Sequence, residues 1–273
     1  TNMKKIKSFD GVDISYDYKK KRGDLPVLIF LHGVGGNLTL WRKEVKFFSR
    51  KGYSTLAFDL RGHGLSGMPQ DEVDYYLGNY VKDLRVLLQK EGITNYVLVG
   101  HSFGGCVVIA YLASYKTNMP ADVVLIESTH VYPYARDHEL NLNPLVVHLL
   151  KILVARGWFD RHPYEIDFSS LESVNLYKEE LFHLPLKTVF YALEEAKLYS
   201  DKNNKKLVCA LKQLKIPTLV VAGDEDTTID PKYSIQVYHL VKDSRIVVFR
   251  GVGHLLPVLK SRRLCKEMLK FLG

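Results

Sequence analysis

The chain has 273 residues, 47% of them hydrophobic and 25% charged, enough to bury about three quarters of its extended surface without disulfides or zinc. That excludes a disordered tail, a collagen-like chain and a disulfide scaffold. Its 38 Lys and Arg against 30 Asp and Glu leave a net charge of +8. The densest basic blocks (Lys4, Lys5 and Lys7; Lys19 to Arg22; Lys202, Lys205 and Lys206) are scattered and interleave no aromatic platform for bases. A solvated basic surface is expected, and no nucleic-acid partner.

The chain opens as a hairpin: Ile6 to Phe9, a turn at Asp10-Gly11, then Val12 to Tyr18 with apolar and polar residues alternating. After Pro26 the run Val27 to Leu31 is apolar throughout, as suits a strand buried on both faces of a parallel sheet. Similar runs follow at Ser54 to Phe58, Tyr96 to Val99, Val123 to Ile126, Thr218 to Val221 and Ile246 to Phe249. Helical periodicity fills the intervals at Leu40 to Arg50, Tyr76 to Glu91, Gly104 to Tyr115, Pro231 to Val241 and Leu255 to Leu272. This alternation predicts an α/β fold, a mostly parallel doubly wound sheet edged by the antiparallel hairpin. From 129 to 206 the alternation stops and helical spacing takes over, as at Leu145, Leu149, Ile152 and Leu153. The chain thus reads as a core of residues 1–128 and 207–273 carrying a helical insertion at 129–206.

Cys106, Cys209 and Cys265 are far apart, with no C-x-x-C spacing, which fits a reducing compartment. Met3-Lys4-Lys5-Ile6 runs into the first strand without an apolar signal stretch. The most apolar segment, Leu145 to Val154, is broken by His148 and Lys151 and is too short to cross a bilayer. A cytoplasmic protein with no stable membrane insertion is expected.

Four polar segments each follow a predicted strand, where ligands of open α/β sheets gather. The first is Gly100-His101-Ser102-Phe103-Gly104, then Gly105, between a strand and a helix. A serine at the tip of such a turn is exposed in a strained backbone conformation, and the glycines remove the Cβ atoms that would clash. The nearby helix N-terminus stabilises developing negative charge. A serine hydroxyl is a weak nucleophile; it needs an imidazole base, and the base needs a carboxylate to fix its tautomer. Gly251-Val252-Gly253-His254 supplies the histidine, and Gly223-Asp224-Glu225-Asp226 supplies carboxylates. The fourth segment is His32-Gly33-Val34-Gly35-Gly36.

These residues resemble the α/β-hydrolase superfamily, with serine esterases and lipases among its members, over nearly the whole chain from Ile6 to Leu272. The insertion falls where that family carries a variable helical cap, after the sixth strand. Ser102, Asp226 and His254 stand in the family's order. The resemblance implies Asp226 as the acid, three residues after Gly223, with Glu127 at the end of its strand as the rival, because some relatives place the acid there. It also implies an oxyanion hole built from the backbone N–H groups of Val34 and Phe103. The single HG followed by Val34 departs from the HGGG form of some lipases. Asp59-Leu60-Arg61-Gly62-His63-Gly64-Leu65-Ser66 resembles the family's D-x-R-G-H-G-x-S loop, so His63, like His32, is expected to brace loops.

The expected activity is hydrolysis of carboxylic esters, short- to medium-chain acyl esters or monoacylglycerols, through an acyl-serine intermediate. The expected partner is a small-molecule ester, met by a monomer or homodimer. The cap should wall an acyl pocket from Tyr132, Leu145, Leu149, Trp158, Phe182 and Phe190. The remaining histidines show no metal-ligand spacing and no phosphate-binding glycine loop is visible, so neither metal nor cofactor is expected. Ser102 excludes the elbow aspartate of epoxide hydrolases and haloalkane dehalogenases. Thioesterases, carbon–carbon bond hydrolases and perhydrolases keep the same triad and stay open, as does a non-catalytic ligand receptor on this fold.

Overall fold

A computed structural model describes residues 3–132, 152, 167 and 186–273. The strands are β1 Met3–Lys7, β2 Asp13–Lys19, β3 Val27–Leu31, β4 Thr55–Phe58, β5 Tyr96–His101, β6 Asp122–Ile126, β7 Thr218–Gly223 and β8 Ser244–Phe249. They form one sheet in the order β1-β2-β4-β3-β5-β6-β7-β8. The β1–β2 and β2–β4 pairs are antiparallel and the others parallel, as the hairpin and the apolar runs predict. The described helices are α1 Arg42–Arg50, α2 Leu77–Lys90, α3 Phe103–Ser114, α4 Leu186–Gln213, α5 Pro231–Leu240, the short α6 Leu256–Leu259, and α7 Ser261–Leu272.

Side chains of a strand alternate between the faces of its sheet. In β5, Tyr96 and Leu98 join a core that includes Leu84 of α2, Tyr111 of α3 and Leu207 of α4. Val97 and Val99 join the opposite core, with Phe48 of α1 and Leu264 and Met268 of α7. Both faces are covered, so the strand has no polar positions to alternate.

The register places the site. Leu31 pairs with Gly100, His101 with Ile126, and Gly223 with Phe249. The loops leaving β3, β5, β7 and β8 therefore emerge side by side at one edge, each carrying one of the four polar segments, with Glu127 following β6 among them.

After β6 and the residues that follow it, the chain returns to the sheet through α4. This helix runs unbroken through residues 206 and 207, so the boundary read at 206 falls inside it. Ala192, Tyr199, Leu207 and Leu211 are buried along its length, while Lys202, Lys205 and Lys206 lie on its solvated face. The polar run is an outer stripe rather than a linker. The helix expected from Leu255 to Leu272 divides at Lys260, whose φ of −125° leaves the helical region. Among the described residues, no helix is long and apolar enough to cross a membrane.

Candidate active site

Ser102 stands between β5 and α3 with φ 54° and ψ −121°, a left-handed conformation that costs a non-glycine residue about 1–3 kcal/mol. The surroundings hold it there. Its N–H donates to the Ile126 carbonyl at 2.9 Å, and its own carbonyl accepts from Gly105 at 2.9 Å. The turn also needs bare backbone on both sides. A Cβ on Gly100 would lie 2.6 Å from the Gly105 Cα, and one on Gly104 would lie 2.4 Å from the Leu31 carbonyl oxygen. Either contact would push α3 off the strands that present the serine.

From Ser102 a hydrogen-bond chain runs across the sheet edge. The Ser102 hydroxyl donates to His254 Nε2 at 2.9 Å, and His254 Nδ1 donates to Asp226 Oδ2 at 2.7 Å. The other oxygen, Asp226 Oδ1, accepts from the N–H groups of Thr228 and Ile229 at 2.8 and 2.9 Å. Those bonds aim the second oxygen at the imidazole, and the imidazole tautomer leaves a lone pair for the serine proton. Ser102 and Asp226 are buried, while the His254 side chain keeps 18% exposure.

Glu127, the rival acid, is also near. Its backbone has φ 49°, and Oε2 lies 4.0 Å from His254 Nδ1. That is beyond hydrogen-bond range. It lies instead 3.1 Å from His101 Nε2, which also donates to the His254 carbonyl at 2.9 Å. Burial pushes the Glu127 carboxyl up to about 8 and the His101 imidazole down to about 4. Among the described residues, His101, Glu127 and His254 are the grouping whose donor atoms lie close enough, within 4.8 Å, to suggest a metal. Their chemistry does not suit one: His101 Nε2 carries the proton it donates, and both His254 nitrogens are engaged. Asp224 accepts from the Gly251 N–H at 2.7 Å, and Asp230 caps α5 through the Lys232 N–H at 2.9 Å.

The β3 loop closes against the serine. A Cβ added to Gly33 would stand 3.1 Å from the Ser102 Cβ, so the loop backbone lies directly over the nucleophile. Two buried histidines brace it. His32 Nδ1 donates to the Gly33 carbonyl at 2.7 Å and Nε2 accepts from the Leu60 N–H at 3.0 Å. His63 Nδ1 donates to the Arg61 carbonyl at 2.9 Å and Nε2 accepts from the Gly35 N–H at 3.0 Å. Burial lowers the affinity of both for a proton, His63 to about 4. Each works as a neutral brace with one donor and one acceptor. Asp59 serves the same loops by accepting from the N–H groups of Leu38 and Leu65 at 2.7 and 2.9 Å.

Ser102 opens on a pocket of about 560 Å³ including its mouth. Val34 and Phe103 flank the serine there; Leu77, Cys106, Ile109 and Ile229 line the core side. The wall toward the insertion is Thr129 to Tyr132 together with Leu193, Ala196, Tyr199, Ser200 and Leu207 of α4. No Lys, Arg, Asp or Glu is among these residues.

The sequence matches the family described as alpha/beta hydrolase fold over residues 26–261. The chain belongs to that family. It is 26% identical over 283 aligned positions to the bifunctional esterase/perhydrolase DCH of Acinetobacter calcoaceticus, covering 96% of this chain and 97% of that protein. It is 24% identical to a non-heme haloperoxidase of Rhodococcus erythropolis, covering 98% of each. A thermophilic esterase from Thermogutta terrifontis superposes with a TM-score of 0.76 at 22% identity, covering 100% of this chain and 98% of that one.

In this alpha/beta hydrolase the structure brings Ser102, Asp226, His254, Val34 and Phe103 to one place. Of the expected pocket residues, Tyr132 lines the cavity, whereas Phe190 lies on α4 outside its lining. Ile152 is exposed. Leu145, Leu149, Trp158 and Phe182 lie outside the described residues. Cys106 faces the pocket one turn after the serine; its Sγ donates to the Thr129 carbonyl at 3.2 Å. Sequence reasoning also missed Leu193, Ala196 and Tyr199. Their signal was present in the spacing of α4, at i, i+3 and i+6 along one face.

Proposed function

We propose that this hydrolase cleaves carboxylic esters with an uncharged, apolar acyl group through an acyl-serine intermediate on Ser102. The observation that carries this is the unbroken chain from Asp226 through His254 to Ser102, opening on a cavity with no Lys, Arg, Asp or Glu among its described lining residues. In the first step Ser102 Oγ attacks the ester carbonyl while His254 Nε2 takes its proton. Asp226 holds the imidazole in the required tautomer and steadies the imidazolium. The N–H groups of Val34 and Phe103 receive the oxyanion, a donation typically worth about 10²–10³ in rate per group. Phe103 opens α3, and an N–H at that position has no acceptor within its helix. His254 then protonates the leaving alcohol. In the second step it takes a proton from water, the hydroxide adds to the acyl carbon, and the acid leaves as Ser102 regains its proton.

The insertion is the cap in this reading: Tyr132 and the α4 residues Leu193 and Tyr199 close the acyl pocket from above. The esterase/perhydrolase relative supports a second outcome on the same acyl-enzyme, with hydrogen peroxide replacing water and a peracid leaving. A fluorophosphonate probe should label the protein but not the Ser102→Ala variant. A series of p-nitrophenyl esters from acetate to palmitate should show turnover with a chain-length optimum. Absence of both labelling and turnover in folded protein would favour a receptor on this fold instead.

A further inference from the structure

The net charge of +8 is not spread over the molecule. Helix α1 with its C-cap carries Arg42, Lys43, Lys46, Arg50 and Lys51, and all five are exposed. Helix α7 with its N-cap carries Lys260, Arg262, Arg263, Lys266 and Lys270, again all exposed. These two segments thus hold ten of the 38 basic residues and, in Glu44 and Glu267, two of the 30 acidic ones; the remaining 28 and 28 cancel. Neither acid balances the surface well. Glu44 is fully buried, where desolvation pushes its carboxyl up to about 7, and Glu267 is half-buried.

The two helices form one face. Both pack on the same side of the sheet, and Lys43 shares a shallow cleft with Lys260, Arg262 and Lys266. On the other flank of α1, Arg42, Lys46 and Arg50 share a cleft with Lys19 and Lys21. Arg42 pairs with Asp167; none of the other nine forms an ion pair among the described residues. Phe47, Leu269 and Phe271, next to these cations in sequence, pack partly against the core beneath the two helices and keep part of their surface exposed.

We propose that the α1–α7 face docks the protein peripherally on an anionic lipid surface. Cations on one face are drawn to the negative potential of such a surface, about fivefold in partition per Lys or Arg at low salt. Apolar side chains among them gain by entering the headgroup region, whereas a nucleic-acid backbone offers them nothing. None of the ten cations lines the pocket at Ser102, so docking is independent of the ester-hydrolysis reading.

Flotation of the full chain with phosphatidylcholine vesicles, with and without phosphatidylserine, tests this. Binding is expected only with phosphatidylserine and is expected to vanish at high NaCl. Replacing Lys43, Arg262 and Lys266 by Glu should lower partition more than about a hundredfold, with p-nitrophenyl ester turnover and thermal midpoint unchanged. Replacing Lys202, Lys205 and Lys206 by Glu makes the same change in net charge on α4, which packs on the other side of the sheet, and should leave most binding intact. Equal loss in both variants would show diffuse charge and overturn the assignment. So would a wild-type protein indifferent to phosphatidylserine, or a DNA duplex that displaces the vesicles at equal phosphate concentration.

Discussion

Two buried polar networks lie at the same end of the sheet and serve opposite ends. In one, the Arg61 guanidinium donates to both carboxylate oxygens of Asp83 at 2.7 and 2.6 Å, to Asp10 at 2.8 Å and to the Asp74 carbonyl at 2.9 Å. Ser8 donates to Asp83 as well, and Arg61 has no exposed surface. In the other, Ser102, His254 and Asp226 form a single file whose serine faces the pocket and whose histidine keeps partial access to solvent. The first network is saturated: its charge is met on several sides and has nowhere to go. The second is left incomplete at the serine, and that open end is where a substrate carbonyl fits. Both contain a buried carboxylate against a cationic or protonatable partner. The difference between scaffold and chemistry lies in whether the last hydrogen bond is spoken for.

The contrast can be broken most severely at Ser102. Ser102→Ala should reduce turnover by about 10⁴-fold or more while the protein keeps its thermal midpoint. Substantial turnover in that variant would move the chemistry elsewhere. At the other end of the file, Asp226→Asn should cost about 10⁴ in kcat by stabilising the wrong tautomer. Glu127→Gln should cost less than about tenfold, because 4.0 Å separates it from His254 Nδ1 and no hydrogen bond is lost there. The reverse ranking would transfer the acid role to Glu127. The saturated network should answer differently. Arg61→Met strands the Asp83 charge and should destabilise the fold by about 3–5 kcal/mol, read as a lower denaturation midpoint. Turnover per folded molecule should change little. A variant that stayed stable but lost activity would show that Arg61 belongs to the reaction.

Much of the reactive file is legible in the sequence because each member carries local backbone demands. The elbow needs Gly100 and Gly104 within a few positions of Ser102, and Asp226 and His254 follow glycines at strand ends. The sheet is legible for a related reason: strands buried on both faces leave uninterrupted apolar runs. The saturated network is not legible. Ser8, Asp10, Arg61 and Asp83 come from four separate segments, and nothing local announces that Asp83 sits beneath Arg61 rather than on the outer face of α2. The pocket wall suffers likewise. Leu193, Ala196 and Tyr199 read as an ordinary amphipathic stripe until α4 is known to pass over Ser102, and the charged run at 201–206 hid that helix's continuity.

Glu127 tests the contrast most finely, because it lies between the two cases: buried like Asp83, yet beside the reactive histidine. In the unfolded chain its carboxyl loses a proton near 4.5; in the fold, burial holds the proton to about 8. Between those values the folded state binds one proton more than the unfolded chain, so Glu127 makes stability fall as pH rises. Its contribution is at its best below 4.5, declines through the window, and is constant above 8. The Glu127→Gln variant matches the protonated side chain in shape and has no proton to lose. Its melting temperature relative to wild type should therefore climb by about ten degrees from pH 4.5 to 8 and then level off. A difference independent of pH would mean that Glu127 is ionised throughout, with its charge met by neighbours as completely as that of Asp83.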